Sequence, residues 1–187
     1  MAPMAAVNEL WCAWFISWVI AGFWSARTEA RPDRGTESLY RMLTVFGVLL
    51  LFVSRRYSDT GTVLWNTPVM VDWALVVVTA AGFSFCWWAR IHLGTLWSSS
   101  VTRKADHRII DTGPYALVRH PIYTGIITAS AATAVQEVTV ATLTGFGLIV
   151  LGFWIKARLE ERFLRAELGA EAYDAYSRRT AMLFPGL

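Results

Sequence analysis

Uncharged runs close to the length of a bilayer crossing recur along this chain, and they constrain its fold more than any other feature. Leu10 to Ala26 is seventeen residues without a charge, bounded by Glu9 and Arg27. Met42 to Ser54 is a run of thirteen, which reaches spanning length only with Leu39, Tyr40 and the aliphatic stem of Arg41 as a snorkelling edge. Trp73 to Ala89 follows Asp72, a carboxylate placed favourably for the positive end of a helix dipole. A fourth run lies between Tyr123 and Gln136, and a fifth from Val138 to Ile155. Hydrocarbon offers no hydrogen-bond partner to the backbone, so runs of this kind pair their own N–H and C=O groups as helices. The fold expected is all-α and integral to the membrane, with about five transmembrane helices.

Composition agrees with that reading. Of 187 residues, 55% are hydrophobic and ten are Trp, with a mean hydropathy of +0.41, which lies outside what a soluble domain of this length shows. Spans of roughly 20 residues use up most of such a chain. Residues 1–187 are therefore expected as one membrane domain, with spans one to three and their loops in 1–104 and spans four and five in 105–187. The formal charge of +3 and the pI near 9.1 do not point to nucleic acid, because the basic residues flank apolar runs and form no separate basic domain. Cys12 and Cys86 both sit inside apolar runs, which excludes a disulfide framework and a CxxC metal signature. No Lys or Arg precedes Leu10, so the first run is expected as a retained span rather than a cleaved signal.

Between the runs, Arg27 to Ser38 is expected as a loop broken by Pro32 and Gly35, and Thr60 to Val71 as a loop on or dipping into the interface, with Gly61, Asn66 and Pro68. Gln136-Glu137 reads as a tight turn that makes the last two spans an antiparallel helical hairpin. From Lys156 to Arg179, Leu159, Phe163, Leu164, Leu168, Ala172, Tyr173 and Tyr176 recur at helical spacing among dense charges. That predicts an amphipathic helix, continuing the last span or lying along the surface. With five spans and the N-terminus outside, fifteen of the seventeen Lys and Arg fall on the cytoplasmic side and only Arg55 and Arg56 face out. The tail is then cytoplasmic.

Polar chemistry is concentrated between His107 and Gly125, where nineteen residues hold two each of His, Arg, Tyr, Pro and Gly. Groups this costly at the boundary of a span usually have a task. His92, His107 and His120 are far apart in sequence with no Cys or paired acid beside them, so metal binding has weak support. Phosphate loops, GxSxG and HExxH are absent.

Gly113-Pro114-Tyr115, Val118-Arg119-His120-Pro121-Ile122-Tyr123-Thr124-Gly125, Glu160-Glu161, Leu168-Gly169, Tyr173-x-x-Tyr176 and Phe184-Pro185 occur in that order. Together they resemble the C-terminal half of the isoprenylcysteine carboxyl methyltransferase and phospholipid methyltransferase family of integral membrane enzymes, over about residues 105 to 187. The resemblance implies an S-adenosylmethionine-dependent methyltransferase with its cofactor held on the cytoplasmic side by the last two spans and the tail. It implies that His107, Ile109 and Ile110 line the cofactor, that Tyr115, His120, Pro121 and Tyr123 contact it, and that Glu160 holds it. Lys156 stands where the isoprenylcysteine enzymes carry a substrate-contacting Arg, and Arg158 is close enough in sequence to take that part.

The residue types suit those implied roles. An ammonium, a carboxylate, an adenine and a sulfonium call for an acid, cationic donors and aromatic surface, which Glu160, Arg119 with His120, and Tyr115 with Tyr123 supply. Pro121 suits the first turn of a helix. Taken singly, each residue also fits a plainer role as interface anchor, helix cap or solvated face. A carboxylate nucleophile needs no base, whereas an amine sheds a proton and a thiol reacts as thiolate. No spare base is visible, which favours an anionic or lipid-borne acceptor entering from the bilayer; a phospholipid headgroup or a small thiol are the other acceptors. Membrane sterol reductases look similar in this region but use a nicotinamide dinucleotide and are much longer. A non-catalytic scaffold is the third reading.

Overall fold

The computed structural model describes residues 2–23, 28–30, 34–56, 63–97, 103–104 and 109–186. Among them are seven α-helices: α1 (Pro3–Gly22), α2 (Arg34–Arg56), α3 (Val69–Leu93), the single turn α4 (Pro114–Leu117), α5 (Pro121–Gln136), α6 (Val140–Leu168) and α7 (Ala170–Arg179). Four short strands, β1 (Thr28–Ala30), β2 (Trp65–Asn66), β3 (Arg103–Lys104) and β4 (Glu137–Val138), form two antiparallel pairs, β1 with β3 and β2 with β4. The chain is an all-helical membrane protein. Among the described residues, α1, α3 with its following 3-10 turn, and α6 are long and apolar enough to cross a bilayer.

Two close helix pairs make the frame. α2 lies along α6, and α3 lies along α5. Each pair touches at glycines: a Cβ on Gly145 would meet the Gly47 carbonyl oxygen at 2.7 Å, and one on Gly82 would meet the Gly125 carbonyl oxygen at 2.6 Å. In hydrocarbon the apolar effect does not drive helices together, so close backbone approach through small residues supplies the packing instead. The contacts also fix direction. Thr44 stands by Gly152 while Gly47 stands by Gly145, and Gly82 stands by Gly125 while the Cys86 thiol meets the Ile122 carbonyl, so both pairs are antiparallel. α1 runs parallel to α3, as Trp87 Nε1 donates to Ser17 Oγ at 3.2 Å and Arg90 donates to the Ala21 carbonyl at 2.8 Å. The C-termini of α1, α3 and α6 therefore share one end of the molecule with the N-termini of α2 and α5.

Sequence expectations fail at several joints. α1 begins at Pro3 and carries Glu9 within it, seven residues before the uncharged run starts. The loop expected to Ser38 ends at Arg34, and Gly35 sits in the first turn of α2, where the N–H groups have no intrahelical acceptor to lose. The interfacial loop ends at Pro68; residues before it pair with β4, Trp65 opposite Val138 and Asn66 opposite Glu137. The Thr67 hydroxyl donates to the Asp72 carboxylate, so this acid serves a local turn at the start of α3. Arg90, in the last turn of α3, is fully buried: it donates to the Gly94 and Ala21 carbonyls and lies over the Trp97 ring, tying the ends of α1 and α3 together.

The hairpin is present. Thr139 accepts from Thr142 N at 3.0 Å and its own N–H donates to Thr142 Oγ1 at 2.9 Å, a reciprocal cap that starts α6 immediately after the turn. α5 has only sixteen residues and is buried over most of its surface, because α3 and α6 flank it. The tail is not one amphipathic helix. α6 runs on to Leu168, Gly169 adopts φ 99°, and α7 starts anew at Ala170. A residue with a Cβ rarely adopts that φ, so the chain breaks there.

Candidate active site

His120 is the residue before α5, and Pro121 supplies the first helical position, with φ pre-set and no N–H to leave unpaired. The strand-like segment before it is pinned by the C-terminus. Arg119 N donates to the Ala181 carbonyl at 2.8 Å, His120 N to the Met182 carbonyl at 3.1 Å, and Thr124 Oγ1 to the Leu183 carbonyl at 2.5 Å. Backbone pairing of this sort fixes the His120 ring to within the play of its own torsions.

The acidic pair on α6 meets that ring from two sides. Glu161 Oε1 accepts from Arg119 Nε at 2.7 Å and from His120 Nε2 at 3.2 Å. A carboxylate only accepts, so Nε2 carries the proton and Nδ1 faces Glu160, 3.7 Å from its Oε2. Glu160 Oε2 in turn accepts the Tyr123 hydroxyl at 2.6 Å. The His120 and Tyr123 rings are stacked, their planes parallel to 3° with centroids 5.2 Å apart, and Phe153 packs against the Tyr123 ring at 5.0 Å. Lys156 Nζ lies over the Tyr123 ring at 5.1 Å and over the Tyr40 ring at 5.6 Å, which brings α2 into the same wall.

Tyr115, on α4, is buried beneath this cluster, and its carbonyl accepts the Tyr176 hydroxyl at 2.7 Å. Burial pushes the Tyr115, Tyr173 and Tyr176 phenols well above the ordinary value. His92 Nε2 lies 2.9 Å from Thr112 Oγ1, and its ring covers Gly113, which adopts φ 57°. A Cβ at Gly113 would come within 2.8 Å of that ring, so glycine is needed there on both grounds. Ile109 and Ile110 are half-buried at the entry to this turn, and Ile110 packs on the core that contains Tyr115 and Trp97.

The structure thus brings Arg119, His120, Pro121, Tyr123, Lys156 and Glu160 into one cluster, with Tyr115 next to it. Arg119 is largely engaged there: besides Glu161 it donates to the Ser177 carbonyl at 3.0 Å and to the Thr180 carbonyl, which makes it a strut between α6 and the tail. Arg158 is elsewhere. It sits on another face of α6, exposed, its guanidinium 5.7 Å from the Trp154 ring. His107 lies outside the described residues. The sequence reading assigned Glu160 to the cofactor but gave Glu161 no role of its own; adjacent helical residues point about 100° apart, and here they reach opposite edges of the His120 ring. It did not find Tyr40, Phe153 or His92, whose only sequence signal is residue type. Among the described residues no three His, Cys, Asp or Glu side chains gather to hold a metal ion.

Comparison with known proteins bears on this geometry. Residues 73–166, from the first turns of α3 to the end of α6, match the model of the isoprenylcysteine carboxyl methyltransferase (ICMT) family. A probable protein-S-isoprenylcysteine O-methyltransferase of Oryza sativa subsp. indica is 34% identical over 56% of the chain and 49% of its own length. Methanethiol S-methyltransferase 1 of Bradyrhizobium diazoefficiens is 28% identical over 87% of the chain and 58% of its own length. The cobalt-zinc-cadmium resistance protein CzcN of Cupriavidus metallidurans is 27% identical over 80% of the chain and 63% of its own length. The chain spans about half to three fifths of the length of these relatives.

Proposed function

The chain belongs to the isoprenylcysteine carboxyl methyltransferase family, and from that premise we propose that it is an S-adenosylmethionine-dependent membrane methyltransferase whose cofactor is held by the wall of His120, Tyr123 and Glu160. The observation that carries this reading is the half-satisfied Glu160. One of its oxygens takes the Tyr123 hydroxyl, while its side chain keeps 30% of its surface exposed. An acid held in place this way, with a free face, suits a ligand ammonium.

The residues present fit the cofactor. Glu160 offers the acid, the stacked His120 and Tyr123 rings offer aromatic surface, and Tyr115, Ile109 and Ile110 add apolar lining at the α4 turn. Bound there, S-adenosylmethionine would supply a sulfonium methyl group open to in-line displacement. The chain's own part is orientation and exclusion of water. Glu161 and Arg119 anchor His120 from behind, the tail carbonyls hold the backbone of residues 119 and 120, and α5 and Phe153 close the apolar side. Holding two reactants in line is worth several kcal/mol in methyl transfer.

The acceptor proposed is an anionic nucleophile, a carboxylate or thiolate, on a lipid-like molecule that enters from the bilayer. Lys156 supports it: this cation is half-buried between Tyr40 and Tyr123 beside Glu160, so it is the cation of the wall best positioned to meet an anion. Meeting of an anion and a sulfonium disperses both charges in the transition state, which an apolar site favours. A small thiol is the second acceptor, favoured by the long match to a methanethiol S-methyltransferase. We further propose five crossings, with the α2 and α5 helices added to the three most apolar ones, and a cytoplasmic C-terminus.

Calorimetry of detergent-purified protein with S-adenosylmethionine and S-adenosylhomocysteine tests the reading. Micromolar binding that is lost in Glu160→Ala and in His120→Ala is expected. A folded wild-type protein that binds neither, or that binds a nicotinamide dinucleotide instead, overturns it.

A further inference from the structure

On the face of α6 turned away from Glu160, a cleft of about 680 Å³ opens between the last turns of α6, α7 and the start of α2. Its mouth is basic. Arg119, Arg158, Arg162 and Arg165 line it together with two acids, Glu161 and Asp174. Both acids are already paired: Glu161 with Arg119 at 2.7 Å, and Asp174 with Arg165 through two bonds at 2.7 and 2.8 Å. Arg158 and Arg162 remain, both exposed, and among the described residues neither meets a carboxylate. The cleft therefore holds two cations in excess.

Its floor is apolar. Trp154, 45% exposed, lies one helical turn before Arg158 with the guanidinium above its ring, and Leu39 and Ile155 extend the apolar surface. The uncharged run of α6 ends at Ile155, so this is where the helix leaves hydrocarbon, the level at which Trp side chains collect. At a rise of about 1.5 Å per residue, Arg158 and Arg162 stand roughly 6 and 12 Å beyond Trp154, at headgroup height.

We propose that this cleft binds an anionic phospholipid of the surrounding bilayer, its phosphate between Arg158 and Arg162 and its acyl chains running down past Trp154 and Leu39. A soluble phosphate compound would have no use for the apolar floor, and a zwitterionic lipid would bring its own cation to a site already cationic. Basic pockets beside transmembrane helices take anionic headgroups by this combination of charge and depth. The cleft backs onto the His120 wall, with which it shares the Arg119–Glu161 pair, but its two excess cations lie apart from it: Lys156 and Glu160 are on one side of α6, Arg158 and Arg162 on another.

Native mass spectrometry of the detergent-purified full chain, titrated with phosphatidylglycerol and phosphatidylcholine in parallel, tests this. Wild type is expected to retain phosphatidylglycerol about thirtyfold more strongly, the factor that two cations near a bilayer surface supply. Arg158→Gln with Arg162→Gln brings retention to the phosphatidylcholine level, while Arg158→Lys with Arg162→Lys keeps most of the preference. Asp174→Asn releases Arg165 and strengthens phosphatidylglycerol retention, a gain that misfolding does not produce. Equal retention of the two lipids by wild type, an unchanged preference in the double Gln variant, or displacement of the lipid by millimolar inorganic phosphate each overturns the proposal. Because the readout needs no cofactor, its failure is distinct from failure of the methyltransferase reading.

Discussion

The Tyr123 hydroxyl, in the first turn of α5, donates to Glu160 Oε2 on α6 at 2.6 Å, and this bond joins the two arms of the hairpin at the end where the polar residues gather. Thirty-seven residues separate the partners in sequence. The bond orients the acid while the Tyr123 ring stays stacked on His120 and packed against Phe153.

Tyr123→Phe keeps the ring packing and removes only the donor. A hydrogen bond to a charged group contributes about 1.5–3 kcal/mol. S-adenosylhomocysteine affinity is expected to fall about tenfold or more, and Tm by several degrees. Calorimetry beside a thermal melt reads both; an unaltered affinity would show that Tyr123 does not position the acid.

Glu160 and Glu161 differ in what their loss does. Glu161→Ala strands Arg119 and His120, whose side chains are 11% and 7% exposed, and stability is expected to drop by about 3 kcal/mol. Glu160→Ala is expected to leave Tm within a few degrees and abolish cofactor binding. The reverse pattern, a stable Glu161 variant and an unfolded Glu160 variant, contradicts the division of labour.

Gly82→Ala places a methyl group 2.6 Å from the Gly125 carbonyl oxygen, a backbone atom that cannot step aside. Separation of α3 from α5 is expected to cost about 1–3 kcal/mol. Gly147→Ala is the opposite case: its Cβ meets nothing within 4 Å, and the gain in helix propensity is up to about 1 kcal/mol. Melting both variants in the same detergent should move Tm in opposite directions.

Alkaline pH is expected to destabilise the tail and the α4 turn. Burial raises the Tyr115, Tyr173 and Tyr176 phenols above the unfolded value of 10.0, so the unfolded chain loses these protons first. Their contribution is fully present below pH 10 and is lost as pH rises through the folded values. Absorbance at 295 nm should show these three tyrosines titrating late, together with loss of structure. Half-ionisation of these tyrosines at pH about 10 with the fold intact would show them to be solvated.

Helix existence was legible because it depends on composition over a dozen residues or more: the run beginning at Trp73 lies inside α3, Leu10 to Gly22 of the first run lies in α1, and the last run from Val140 on lies in α6. Helix ends were less legible. Glu9 and Gly35 look like boundaries, yet a single charge or glycine in an outer turn costs too little to stop a helix that tertiary contacts extend. Arg90 follows the third uncharged run in sequence, and only the nearness of the Ala21 carbonyl makes it a buried tie.

The cluster of Arg119, His120, Tyr123 and Glu160 was likewise visible as residue types in a fixed order, together with the turn at Gln136 that folds α6 back on α5. Local forces set these: hydropathy over a run, proline at a first helical turn, the reciprocal cap of Thr139 and Thr142. What the tertiary structure decided is which face each residue of α6 presents. Helix rotation puts Glu160 and Lys156 against Tyr123, Glu161 behind His120, and Arg158 on an outer cleft. That rotation is set where α2 and α6 touch at Gly47 and Gly145, because a contact between backbones leaves one register free of overlap.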